Sequence, residues 1–185
     1  LIHGLDPEHV CVFGGDHIYK MDVRQMLDYH RQKNARLTVA AIPVPVAQAH
    51  EFGVIEVDAN GKMIGFEEKP KTNPKTIPGN PDFVLASMGN YIFEAKTLIS
   101  VLEDDAKQAD SKHDFGHNII PKMYPQGSVY VYDFSTNVIR GEQEDSKGYW
   151  RDVGTLDSYY EANMDLISVQ PPLDLYNKYW PLRSY

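Results

Sequence analysis

An α/β fold with a hairpin insertion is what this sequence predicts, and three observations carry that reading. Short apolar, β-rich runs alternate with stretches whose apolar residues recur at helical spacing. One run, LTVAAI at 37–42, is continuously apolar, as expected of a parallel strand covered on both faces. A third segment, 52–68, reads as strand, tight turn and strand.

The elements follow in order. VCVF (10–13) is a short buried strand. A helix starts near Asp22, which with Gln25 makes a D-x-x-Q capping box. Val23, Met26, Leu27 and His30 then share one helical face. GGDHIYK (14–20) therefore lies between a strand end and a helix, where ligands collect in open α/β sheets. FGVIEV (52–57), the turn DANG (58–61) and KMIGFEE (62–68) form the hairpin. KPKTNPKTIPGNP (69–81) is a proline-broken loop leading into the strand FVLASMGNYIF (83–93). Leu98, Val101, Leu102 and Ala106 mark a second helix. A shorter helical stretch runs from His117 to Met123 and ends at Pro125 and Gly127. SVYVYDF (128–134) alternates as a strand does, and GEQEDSKG (141–148) is an exposed loop. YWRDVGT (149–155) leads into a helix carrying Leu156, Tyr159, Tyr160, Leu166 and Ile167 on or near one face. The end, QPPLDLYNKYWPLRSY (170–185), reads as a docking linker.

Composition narrows the function classes. At 185 residues the chain fits one domain, and its 42% hydrophobic and 24% charged content excludes a disordered protein. Its longest apolar run, Leu37 to Ala47, is broken by two prolines and too short for a bilayer, so no membrane partner is expected. The first ten residues carry no secretory signal, and the single cysteine, Cys11, fits a reducing, cytoplasmic setting. A net charge of −8 with scattered cations argues against a nucleic-acid partner. The glycine-rich phosphate loops GxGxxG and GxxxxGKS/T are both missing from the sequence.

Several residues invite a chemical reading. Asp16, just past a strand end, suits Mg²⁺, which takes one or two carboxylates plus phosphates and water; it equally suits a turn cap beside Gly14 and Gly15. In FEEKP (66–70), Lys69 is a point charge for a phosphate and Glu68 an acceptor for sugar hydroxyls, or both belong to a solvated strand end. Asp152 lies near a glycine and ahead of a helix as Asp16 does, so the pair is either two metal ligands or two turn residues. Asp114-Phe115-Gly116 matches a kinase triplet, but no HRD loop accompanies it. His113 and His117 have i, i+4 spacing, yet the glutamate of a zinc HExxH motif is missing.

Taken in order along one chain, these signals carry more than any one alone. GGDHIYKMD, HEFGVIEVD, FEEKP, LASMGNYIF, HDFG, YWRDVGTLDSYYEANMDL and YWPLRSY together resemble the bacterial glucose-1-phosphate adenylyltransferases, or ADP-glucose pyrophosphorylases. The resemblance implies part of a Rossmann-like nucleotidyltransferase fold, a mixed sheet flanked by helices. It implies conversion of ATP and glucose 1-phosphate to ADP-glucose and diphosphate for glycogen synthesis, with Mg²⁺ as cofactor. It makes Asp16 catalytic, with Asp16 and Asp152 as metal ligands, and Lys69 the holder of the sugar phosphate. Glu68, Ser87 and Gly89 match the glucose pocket, with Tyr91, Asp114, Phe115 and Trp150 in or near it. It further implies a homotetrameric, allosteric full-length enzyme. Residues 1–168 correspond to the C-terminal portion of its catalytic domain, and 169–185 to a linker toward an absent β-helix domain. The nucleotide-gripping segment is expected upstream, so the chain alone is expected to be inactive, with an open edge on the VCVF strand.

Overall fold

The computed structural model describes residues 2–142 and 148–182. Residues 143–147 of the expected loop and 183–185 of the terminal motif lie outside the described residues. In chain order the elements are α1 (Ile2–Leu5), β1 (His9–Phe13), β2 (His17–Tyr19), α2 (Val23–Gln32), β3 (Leu37–Pro45), β4 (Gly53–Val57), β5 (Met63–Glu68) and β6 (Phe83–Glu94). They continue with α3 (Ala95–Ala106), α4 (Ile120–Met123), β7 (Val129–Asp133), β8 (Trp150–Asp152) and α5 (Leu156–Leu166). The chain divides into two compact units, one of Leu1–Phe13 with Met26–Tyr132 and one of Gly14–Gln25 with Asp133–Tyr185.

The first unit is built on a mixed sheet flanked by helices, in the order β5-β4-β6-β3-β7. Its axis is the long β6. On one side β3 pairs antiparallel with it from Leu37↔Phe93 to Pro45↔Phe83. On the other side β1 covers its C-terminal part, as in Val10↔Phe93, and β4 covers Leu85 and Ala86. This corrects the parallel reading of LTVAAI. Burial on both faces holds, because Leu37 through Ala41 are all buried. Continuous burial reports coverage and is silent on strand direction. The core gathers Leu37, Val39, Ala41, Ile55, Phe93 and Leu98, with Ile120 and Met123 of α4. Of the α3 stripe, Leu98 is buried and Val101 half-buried, while Leu102 and Ala106 are exposed. That helix face is narrower than its spacing suggests.

The β4–β5 hairpin forms where the sequence places it, with Gly53 opposite Glu68. Asp58 Oδ1 accepts hydrogen bonds from the backbone N–H groups of Asn60 (2.8 Å) and Lys62 (3.0 Å), holding the turn as aspartates do. Gly61 has φ +76°, and a Cβ there would lie 2.6 Å from the Tyr29 hydroxyl. Only glycine fits both conditions.

The second unit holds a feature the sequence does not signal. β2 pairs antiparallel with β8, setting His17 opposite Asp152, Ile18 opposite Arg151 and Tyr19 opposite Trp150. Three-residue strands fall below the length at which alternation is readable. The capping box at Asp22 also differs from expectation. The Asp22 N–H donates to Asn137 Oδ1 (2.9 Å), and Gln25 exchanges two hydrogen bonds with the Val138 backbone. α5 has its own reciprocal cap between Thr155 and Ser158. Its apolar residues do not make the expected inward face: Leu156, Tyr159, Tyr160 and Ile167 are exposed, and only Ala162 is buried. The helix is tied to β8 by polar groups instead. Arg151 donates to Asp165 (2.9 Å) and Glu161 (3.1 Å), and the Tyr149 hydroxyl donates to Asp165 (2.9 Å). Residues 169–182 form no helix, and Leu173 and Asn177 are buried. There the Asn177 amide donates to the Arg140 carbonyl (2.9 Å), and the buried Lys20 ammonium meets Glu142 (2.5 Å) and the Asp174 carbonyl.

Candidate active site

In the first unit, the end of β5, the middle of β6 and the turn before α4 assemble one polar cluster. Glu68 is half-buried. Burial pushes its carboxyl up from the ordinary value, His117 opposes this, nearby Asp114 adds to it, and Lys69 opposes it again. Those four charged residues therefore share one neighbourhood. Asp114 caps the helical segment 115–119, accepting from the His117 N–H (2.8 Å) and pairing with His117 Nδ1 (3.1 Å). Burial raises the Asp114 carboxyl, but these bonds outweigh it and hold it below the usual range. The kinase-like triplet is thus a helix cap, with Phe115 stacked on Tyr91 at 5.2 Å between centroids.

Tyr91 is buried, which pushes its hydroxyl up to about 12, and it shares a hydrogen bond with Ser87. It stays a neutral donor and acceptor at any physiological pH. Between these two residues the β3–β6 register slips, and Gly89 sits there with φ +71°. The bulge gives Gly89 a backbone reason to be glycine. Lys69 also has a left-handed backbone, φ +50°, with its N–H donated to the Phe52 carbonyl (3.0 Å) and its side chain exposed.

His113 and His117, at i, i+4 spacing, pair with different carboxylates. His113 Nδ1 lies 2.8 Å from the buried Asp105, which also accepts from Ser111 (2.7 Å). Among the described residues, no group of three or more His, Cys, Asp or Glu side chains is arranged to hold a metal ion.

In the second unit, the β2–β8 ladder brings together residues far apart in sequence. His17 Nε2 lies 3.7 Å from Asp16 Oδ1 and 4.0 Å from Asp152 Oδ1. Both candidate metal aspartates thus border one imidazole, with Trp150 at 5.2 Å from its ring. The carboxylates differ in setting. Asp152 is one-third exposed and its Oδ1 accepts from the Gly154 N–H (3.1 Å), so it does hold a turn. Asp16 is 75% exposed, with the His17 ring beside its carboxylate.

The structure therefore groups Glu68, Ser87, Tyr91, Asp114 and Phe115, with Lys69 alongside, and separately groups Asp16, Asp152 and Trp150. Sequence reasoning gave no role to His17, to His117, or to the glycines around Glu68. His17 sits inside GGDHIYK, and its pairing opposite Asp152 is the missing signal.

Comparison with known proteins completes the picture. The nucleotidyl transferase family model matches residues 2–169. The chain is 62% identical over 179 residues to glucose-1-phosphate adenylyltransferase 1 of Vibrio cholerae, covering 97% of this chain and 44% of that protein. It is 62% identical over 184 residues to the glucose-1-phosphate adenylyltransferase of Aliivibrio fischeri, covering 100% of this chain and 45% of that one. To the enzyme of that name from an Anaeromyxobacter species it is 56% identical over 177 residues, 96% of this chain and 43% of the relative. The chain spans less than half the length of these curated relatives. With the family model matching most of its residues, the chain belongs to the nucleotidyl transferase family.

Proposed function

We propose that this chain is the sugar-phosphate and metal-binding part of a glucose-1-phosphate adenylyltransferase, which makes ADP-glucose and diphosphate from ATP and glucose 1-phosphate for glycogen synthesis. The observation that carries the reading is that Asp16 and Asp152, far apart in sequence, both lie against His17, the β2 residue paired with Asp152. Accessible hard oxygen donors, few in number, suit Mg²⁺, which keeps several waters and is shared with substrate phosphates. Bound there, Mg²⁺ neutralises the charge of a triphosphate.

No protein nucleophile is required. An oxygen of the sugar phosphate attacks the α-phosphorus of ATP and diphosphate leaves, so the residues work by positioning and charge. Lys69 is proposed to meet the phosphate of glucose 1-phosphate as a mobile point charge. Glu68, with Ser87 and Tyr91, receives sugar hydroxyls, and Asp114 and Phe115 frame them. Residues 1–168 are proposed as part of a catalytic domain and 169–185 as a linker toward a further domain. A cytoplasmic, allosteric homotetramer is the proposed setting of the full-length protein. No helix among the described residues is long and apolar enough to cross a membrane.

Titration calorimetry of glucose 1-phosphate, and Mn²⁺ binding followed by electron paramagnetic resonance, test the reading on the chain itself. Saturable binding of both, the metal lost in Asp16→Asn and the sugar phosphate weakened in Glu68→Ala, is the expected result. A chain that binds neither ligand defeats it.

A further inference from the structure

The Glu68 carboxylate occupies a place from which two side chains are missing. A Cβ on Gly116 would lie 2.5 Å from Glu68 Oε2 and 3.0 Å from its carboxyl carbon. A Cβ on Gly53 would lie 2.9 Å from the same oxygen. Neither glycine has a positive φ, so an L side chain meets no backbone objection at either position. Local propensity runs against both. Gly53 lies within β4, where a glycine weakens the strand, and Gly116 lies within a helical segment, where it costs about 1 kcal/mol against alanine. The oxygen both would crowd is Glu68 Oε2, which is the nearest atom at Gly116 and the second nearest at Gly53. Gly53 also clears the Phe66 ring, at 2.6 Å, so Gly116 is the cleaner probe.

We infer that Gly53 and Gly116 are positioning residues that seat the Glu68 carboxylate in one orientation, fixing which hydroxyls of a sugar ligand it can accept. The inference rests on the sugar-phosphate reading of this cluster and deepens it toward specificity. A glutamate on a strand end ordinarily samples many rotamers. Here its carboxylate lies between Gly53 of β4 and Gly116 of the 115–119 turn, in the neighbourhood of Asp114 and His117. A fixed, half-buried acceptor discriminates strongly, because a ligand lacking the matching hydroxyl leaves it unpaired. The ligand class is a hydroxyl-rich pyranose phosphate, with deoxy analogues at that position rejected.

Gly116→Ala separates this role from a structural one. The atoms a new methyl meets first belong to the far end of a flexible side chain, so Glu68 swings out while the backbone stays. Three measurements on the 185-residue chain decide it: thermal unfolding, glucose 1-phosphate affinity by calorimetry, and the Glu68 carboxyl titration by ¹³C NMR, assigned with Glu68→Gln. The melting temperature is expected to hold, the affinity to fall at least about tenfold, and the Glu68 titration to return toward the ordinary carboxyl range. Gly116→Ala in a Glu68→Ala background is expected to add nothing. Glu68→Asp, which keeps the charge and withdraws the carboxylate by one methylene, is expected to show the same affinity loss without touching a glycine. Affinity of Gly116→Ala within about twofold of the parent, additive losses in the double variant, or an unmoved Glu68 titration each overturn the inference. If the parent chain binds no glucose 1-phosphate, the functional reading falls, and the NMR titration alone still decides whether the slot seats Glu68.

Discussion

His30 makes the stability of the first unit depend on pH in a way the structure quantifies. The ring is 1% exposed on the inner face of α2, its Nδ1 is 2.8 Å from Thr38 Oγ1, and His9 lies edge-on at 5.0 Å. Burial lowers its pKa from 6.5 to about 4; His9 and Arg31 add to the lowering, and Glu94 opposes it. The folded chain therefore keeps His30 neutral where the unfolded chain protonates it. Stability from this group is full above the unfolded value near 6.5, falls as pH drops below it, and levels off below about 4. The depression is worth about 3 kcal/mol in full, of which about 2 kcal/mol is already lost by pH ~5. Urea unfolding followed by hydrogen exchange of the β3 and β6 amides reads this unit directly. His30→Gln, which cannot titrate, is expected to start less stable at about pH 7 and to lose about 2 kcal/mol less between there and pH ~5. Parallel pH profiles for parent and variant would refute the reasoning.

Further perturbations address the site and the second unit. Asp16→Asn is expected to weaken Mn²⁺ binding at least about tenfold with an unchanged melting temperature, since the carboxylate supports no turn; near-parent affinity in electron paramagnetic resonance removes it as a ligand. Lys69→Ala is expected to weaken glucose 1-phosphate binding in calorimetry, and in a full-length enzyme to raise the KM for that substrate with little change in kcat. A change confined to the ATP KM rejects the assignment. Asn137 is buried and bonds both the N–H (2.9 Å) and the carbonyl (3.1 Å) of Asp22, so Asn137→Ala is expected to destabilise the second unit by about 1–3 kcal/mol in urea melts.

Legibility in the sequence followed the length over which each physical signal is averaged. β3 and β6 are long, so their coverage is plain from composition, and the hairpin turn is announced by Asp58 and Gly61, whose roles are local. Strand direction is set by what lies beside β3, and LTVAAI says nothing of that. The two-unit division passes inside α2, between Gln25 and Met26, where an uninterrupted helical stripe gives no boundary signal. In the candidate site, Lys69 and Glu68 stand out in the sequence as charged residues at a strand end. Gly116 was hidden inside HDFG, since a missing Cβ matters only once Glu68, from another strand, arrives opposite it.

The same contrast separates the two aspartates that looked alike in sequence. Each precedes a helix and lies beside glycine, so propensity assigned both to turns. Asp152 does hold one, giving one lone pair to the Gly154 N–H and keeping the rest of its carboxylate for another partner. Asp16 gives its carboxylate to no backbone N–H among the described residues and stands mostly in water. A turn residue without a turn to hold has no local reason to be aspartate. The β2–β8 ladder supplies a non-local one by setting its chain neighbour His17 opposite Asp152, so that both carboxylates border one imidazole. Asp152 is thus held by its turn while Asp16 is not, a difference that would suit the proposed Mg²⁺, which keeps its own waters and shares substrate phosphates.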